Sequence, residues 1–137
     1  MKLGQNDRKK IFNKINLALK KDERIFFAYV FGSFVESAHF RDIDIGIYLK
    51  RSNNKDTLSK ELKYADALSK ATGISADNFD VKILNHAPYR FINNVFYRGK
   101  LLFSRDQLKM EDLMEKVGLD ALENESFRHQ ELIELTS

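Results

Sequence analysis

The chain has 137 residues, 43% hydrophobic, 31% charged and 12% aromatic, with no Cys, no Trp, one Pro and a net charge of +3. That length supports one domain with room for a helical appendage, and burial of about two thirds of the unfolded surface. Zero cysteines exclude disulfides, iron–sulfur clusters, thiol nucleophiles and thiolate zinc sites, and the longest apolar run, Ile25–Phe31, is too short to cross a membrane.

In chain order, Ile11, Phe12, Ile15, Ala18 and Leu19 recur at helical spacing and predict a first helix over about Gln5–Lys20. Ile25–Phe31 is a continuous β-branched and aromatic run stopping at Gly32, which reads as a strand covered on both faces. The second strand, residues 42–49, has Ile at every other position. Period two sends Ile43, Ile45 and Ile47 to one face and Asp42, Asp44, Gly46 and Tyr48 to the other. A polar loop at 51–54 leads to a helix over about 56–71, with Leu58, Leu62, Ala65 and Leu68 as its expected buried stripe and Gly73 as its stop.

Residues 79–84 form the third strand, and Pro88 suits the start of a helix buried along Phe91, Ile92, Val95 and Phe96. A short fourth strand follows at 101–103. Ser104-Arg105-Asp106-Gln107 then fits a capping box that opens a last helix, either continuing through Gly118 or breaking there, and reaching about Leu135. This order predicts an α+β fold, a mixed sheet packed by helices, over residues 1–105, with a C-terminal helical extension over 106–137. The aromatic residues fall at core spacing, and His39, His86 and His129 lack metal-ligand spacing, so solvated or hydrogen-bonded histidines are expected.

Charge is unevenly spread. Residues 1–30 carry eight Lys/Arg against three Asp/Glu, residues 31–110 thirteen against nine, and residues 111–137 two against eight. A basic body ending in an acidic segment suits a nucleic-acid partner for the body, a basic protein partner for the tail, or solvated helix faces. Met1 to Asp7 lack the apolar stretch of a secretory leader, so a cytoplasmic protein is expected.

One stretch carries chemistry. A strand ending in Gly32-Ser33 and turning into a helix start presents free amides where the helix dipole is positive, a geometry that binds phosphate. Asp42 and Asp44 then share one strand face about 7 Å apart, and two carboxylates there are costly unless a cation lies between them. Mg²⁺ carried by a nucleoside triphosphate suits such a pair, because it takes few carboxylates plus substrate phosphates. Asp80, on the third strand, is placed to join the same face.

Gly-Ser, a short loop, Asp-x-Asp between apolar residues and a later Asp resemble the DNA polymerase β-like nucleotidyltransferases. In size, and at Gly99-Lys100-Leu101-Leu102-Phe103, the chain is similar to the minimal nucleotidyltransferases, the MNT proteins encoded beside HEPN-domain toxins. The likeness covers roughly residues 8–104. It implies that Gly32 and Ser33 hold nucleotide phosphates, that Asp42 and Asp44 bind two Mg²⁺ ions, and that Asp80 completes the metal site and helps deprotonate the acceptor. It further implies a Mg²⁺-dependent enzyme using ATP to place AMP on a tyrosine of a cognate HEPN toxin, acting as its antitoxin, with the acidic segment 111–137 as a docking surface. Two other readings fit the residues: an antitoxin that binds without catalysis, and a nucleotidyltransferase for a small hydroxylated molecule such as an aminoglycoside. No long basic tract or paired aromatic motif points to nucleic acid.

Overall fold

Strands that are apolar throughout need cover on both faces, and the helices supply it. The structure, a computed structural model, describes residues 4–119. Along the chain lie α1 (Gln5–Lys20), β1 (Ile25–Phe31), α2 (Ser33–Glu36), β2 (Ile43–Leu49), α3 (Thr57–Thr72), β3 (Phe79–Ile83), α4 (Tyr89–Arg98), β4 (Lys100–Ser104) and α5, helical over 107–119. Short 3₁₀ turns at Ala76–Asn78 and Leu84–His86 flank β3. The four strands form one sheet in the order β3-β2-β1-β4, with β2–β3 parallel and the other pairs antiparallel. This is the expected mixed sheet of an α+β domain.

Each face of the sheet has its own apolar cluster. On one, Ile15 and Leu19 of α1 and Ala65 and Leu68 of α3 cover Ala28, Val30, Ile43, Ile45 and Ile47. On the other, Ile92 and Val95 of α4 and Met110 and Val117 of α5 cover Phe27 and Tyr29. Successive strand residues thus feed opposite clusters, which is why β1 carries no polar position. The C-terminal helix therefore contributes to a core, and it runs without a break through Gly118. The expected reach to Leu135, and His129, lie outside the described residues. Among the described residues no helix is long and apolar enough to cross a membrane.

Two local expectations need correction. Leu58 and Leu62 are 68% and 63% exposed rather than part of α3's buried stripe. The inward positions go instead to side chains with polar tips: Glu61 accepts from the amide of Ile83 at 2.8 Å, and the Tyr64 hydroxyl donates to Asp22 at 2.9 Å. Satisfying those groups turns Leu62 outward, and Leu58 sits in the helix's first turn. At the other end of the domain, Ser104 does not cap α5, because it pairs with Phe27 as the last residue of β4. Asp106 does so, accepting from the Lys109 amide at 3.1 Å.

Candidate active site

The sheet order brings three strand ends to one edge: the C-terminal end of β1 and the N-terminal ends of β2 and β3. Register then sets a single row across them, Phe31 on β1, Asp44 on β2 and Asp80 on β3. Asp44 shares its face with Gly46 and Tyr48, so the acidic row lies on the sheet face that α4 and α5 cover further along. Asp42 immediately precedes β2 and is exposed. The structure thus places Asp42, Asp44 and Asp80 at the same edge, two of them as direct cross-strand partners.

The electrostatics follow from that placement. Asp44 is partly buried, and its carboxyl is pushed up to about 6, first by burial and then by the negative charges of Asp80 and Asp42, with Lys82 opposing. Asp80 is half exposed, and its Oδ1 lies 3.7 Å from the Lys82 Nζ two residues along the same strand face. Repulsion felt at Asp44 from both other aspartates is what a cation would relieve.

Gly32 joins β1 to α2 with φ +74°, a left-handed conformation in which side chains are strained. A Cβ added there would also overlap Oδ2 of Asp44. The glycine therefore does two things at once: it reverses the chain, and it lets the carboxylate lie against the backbone. In α2, the amides of Val35 and Glu36 both donate to the Gly32 carbonyl at 3.1 Å, and that of Ser37 to the Ser33 carbonyl at 2.9 Å. The amides of Ser33 and Phe34 open the turn with no intrahelical acceptor. Gly32 and Ser33 thus stand beside the acidic row, the relation anticipated from their order in the sequence.

One residue at this edge is not signalled by the sequence. Arg8 of α1 donates from its guanidinium to the carbonyls of Phe34, at 2.8 Å, and Ser37, closing the far end of α2. Its guanidinium carbon lies 5.4 Å from the Phe34 ring centroid and 5.0 Å from that of Phe40, and those two rings meet edge to face at 4.9 Å. In the sequence Arg8 is one of many basic residues on an amphipathic helix, 26 positions from its partner Phe34. Only the packing of α1 against the start of α2 reveals it.

Among the described residues, no three acidic or histidine side chains form a cage that would hold a metal by themselves. The donor set nevertheless fits Mg²⁺, which binds through one or two carboxylates and completes its shell with water and substrate phosphates. Asp42 and Asp44 could hold such an ion, with Asp80 opposite. A groove of about 890 Å³ lies at the other end of β1 and β2, lined by Asp22, Arg24, Leu49, Arg51, Lys60 and Tyr64 among others. His86 is hydrogen-bonded to Ser52 Oγ at 3.0 Å, the ordinary role expected of it.

Against this geometry stand the relationships to known proteins. Residues 13–108 match the family model described as Polymerase beta, Nucleotidyltransferase. No curated protein matches the chain. Similar folds occur in a solved complex of tri-AMPylated Shewanella oneidensis HEPN toxin with MNT antitoxin, at 21% identity and TM-score 0.69 over 95% of this chain and 99% of that one. A toxin–antitoxin structure with AMP-PNP matches at 22% identity and TM-score 0.70, over 92% and 98% of the two chains. A MntA–HepT complex matches at 19% and 0.67, over 94% and 99%. At these identities the likeness is one of fold.

Proposed function

The chain belongs to the polymerase β nucleotidyltransferase family, and from that premise we propose that it transfers AMP from ATP to a tyrosine hydroxyl of a HEPN toxin and so acts as the toxin's antitoxin. The observation that carries this reading is the juxtaposition of Asp42, Asp44 and Asp80 with the Gly32–Ser33 turn at one sheet edge. The acceptor is supported by the similar folds, whose complexes pair an MNT antitoxin with an AMPylated HEPN toxin and a toxin–antitoxin with AMP-PNP. It is also supported by the exposure of Asp42 and Asp80, which a protein acceptor can reach from solvent.

The residues divide the work. The Ser33 and Phe34 amides and the Ser33 hydroxyl orient the triphosphate, with Gly32 allowing close approach of the backbone. Asp42 and Asp44 would hold the nucleotide's magnesium, which would neutralise charge on the phosphates and the leaving group. Asp80 lies across from Asp44 and accepts the proton of the attacking hydroxyl. The acceptor oxygen forms a bond to the α-phosphorus while the bond to the β-phosphate oxygen breaks, and pyrophosphate leaves with that electron pair. Placement and charge neutralisation carry most of the acceleration, so neither His nor Cys is needed.

The test uses ATP labelled at the α-phosphate, Mg²⁺ and the protein encoded beside this chain, which this reading expects to be a HEPN toxin. Transfer of label to the HEPN protein, lost in Asp42→Asn/Asp44→Asn, is the expected result. Neutralisation of the toxin by that double variant without any transfer would replace catalysis with occlusion.

A further inference from the structure

We infer that Arg8 is a positioning residue for the triphosphate: by fixing the far end of α2, it aims the Ser33 and Phe34 amides at the nucleotide. The inference rests on the nucleotidyltransferase reading and extends it to a residue of α1.

The physical need is specific. A four-residue helix is one turn, and it has too few internal bonds to hold its own direction. α2 is entered through Gly32, the most freely rotating joint in the segment, and left through an extended residue, Ser37. Its orientation must therefore come from tertiary contacts. Phe34 supplies one by burial in the sheet's first apolar cluster. Arg8 supplies the other, since its planar guanidinium spans the carbonyls of Phe34 and Ser37 and rests on the Phe34 and Phe40 rings. The Phe34 carbonyl lies within the turn and that of Ser37 just beyond its last residue, and no helix continues past Glu36 to supply amides for them. A cation there also complements the helix's negative end.

The two ends of one turn are about 5 Å apart, so a tilt at Ser37 moves the amides at Ser33. Among the described residues, no backbone carbonyl accepts from those amides to hold them in place. Lysine cannot substitute for the function, because an ammonium lacks the fork that bridges two carbonyls in fixed geometry. Arg105 offers an internal control. It makes a comparable clamp at the opposite end of the sheet, donating to the carbonyls of Ile25 at 2.8 Å, Lys20 at 2.6 Å and Asp22 at 3.0 Å.

The experiment measures binding of MgATP and of AMP to the full chain by calorimetry, for wild type, Arg8→Gln, Arg8→Lys and Arg105→Gln, with thermal melting alongside. Arg8→Gln is expected to weaken MgATP about tenfold, as befits the loss of two charge-assisted bonds, while AMP affinity changes less than threefold. Arg8→Lys is expected to resemble Arg8→Gln, and it serves as the test variant if the glutamine form does not fold. Arg105→Gln is expected to lower the melting temperature and leave MgATP affinity within twofold of wild type. A folded Arg8 variant that binds MgATP like wild type overturns the positioning role alone. An equal loss for ATP and AMP, or an equal loss in Arg105→Gln, also overturns it by showing a general structural effect. Wild-type protein that fails to bind MgATP overturns this inference together with the reading beneath it.

Discussion

Asp44→Asn should make the ligand-free protein more stable at neutral pH while removing its function. The carboxyl of Asp44 is raised from 3.8 to about 6 by burial and by Asp80 and Asp42. The folded protein therefore binds a proton more tightly than the unfolded chain, and stability falls as pH rises through roughly 4 to 6. Two units correspond to about 3 kcal/mol at 1.36 kcal/mol per unit. Asp44 is only partly buried, so solvent screening reduces this to about 1–2 kcal/mol. For a domain of this size, that is an increase of about 3–8 °C in the melting temperature. The assay is thermal melting of wild type and Asp44→Asn at pH 7.5 and pH 3.5, with and without MgATP. The variant should melt higher at pH 7.5, show no gain at pH 3.5, and lose the ligand-induced shift of wild type. A variant less stable than wild type at pH 7.5, or one equally stabilised at both pH values, would refute the reasoning, because the penalty would then not be electrostatic.

Other outcomes follow from the same structure. Gly32→Ala should abolish MgATP binding and destabilise by about 1–3 kcal/mol from left-handed strain and overlap with Asp44, whereas Gly32→Ala/Asp44→Ala should recover only the share due to overlap and none of the binding, as read by melting and calorimetry. Leu68→Ala, which empties a fully buried site, should cost about 2–5 kcal/mol, while Leu62→Ala should cost under about 0.5 kcal/mol in urea unfolding. Asp22 is held down at about 2, chiefly by its hydrogen bonds from Arg24. Its contribution is present above about pH 4 and lost as pH falls toward 2, so Asp22→Asn should cost about 1 kcal/mol at pH 7, after allowance for its exposure, and nothing near pH 2, as read by urea unfolding at the two pH values.

Much of the fold was legible in the sequence because periodicity reports burial directly. The alternating isoleucines of β2 assign Asp42 and Asp44 to one face, and the uninterrupted β1 implies helices on both sides of the sheet. What stayed hidden depends on long-range polar partners. Glu61 and Tyr64 face inward because the Ile83 amide and Asp22 await them, and neither partner can be located by reading α3 alone. The cap of α5 moved from Ser104 to Asp106 because ladder pairing to Phe27 outweighed a local motif. The candidate site was legible for a different reason: its glycine and aspartates lie at the ends of three successive strands, whereas Arg8 arrives from a separate helix.

The most direct test is label transfer from α-labelled ATP to the protein encoded beside this chain, followed by mapping of the modified residue. The account predicts AMP on a tyrosine, transfer that requires Mg²⁺, and loss of transfer in Asp42→Asn/Asp44→Asn with the partner still bound. Full neutralisation of the toxin by that variant, with no AMP found on the wild-type complex, would contradict it.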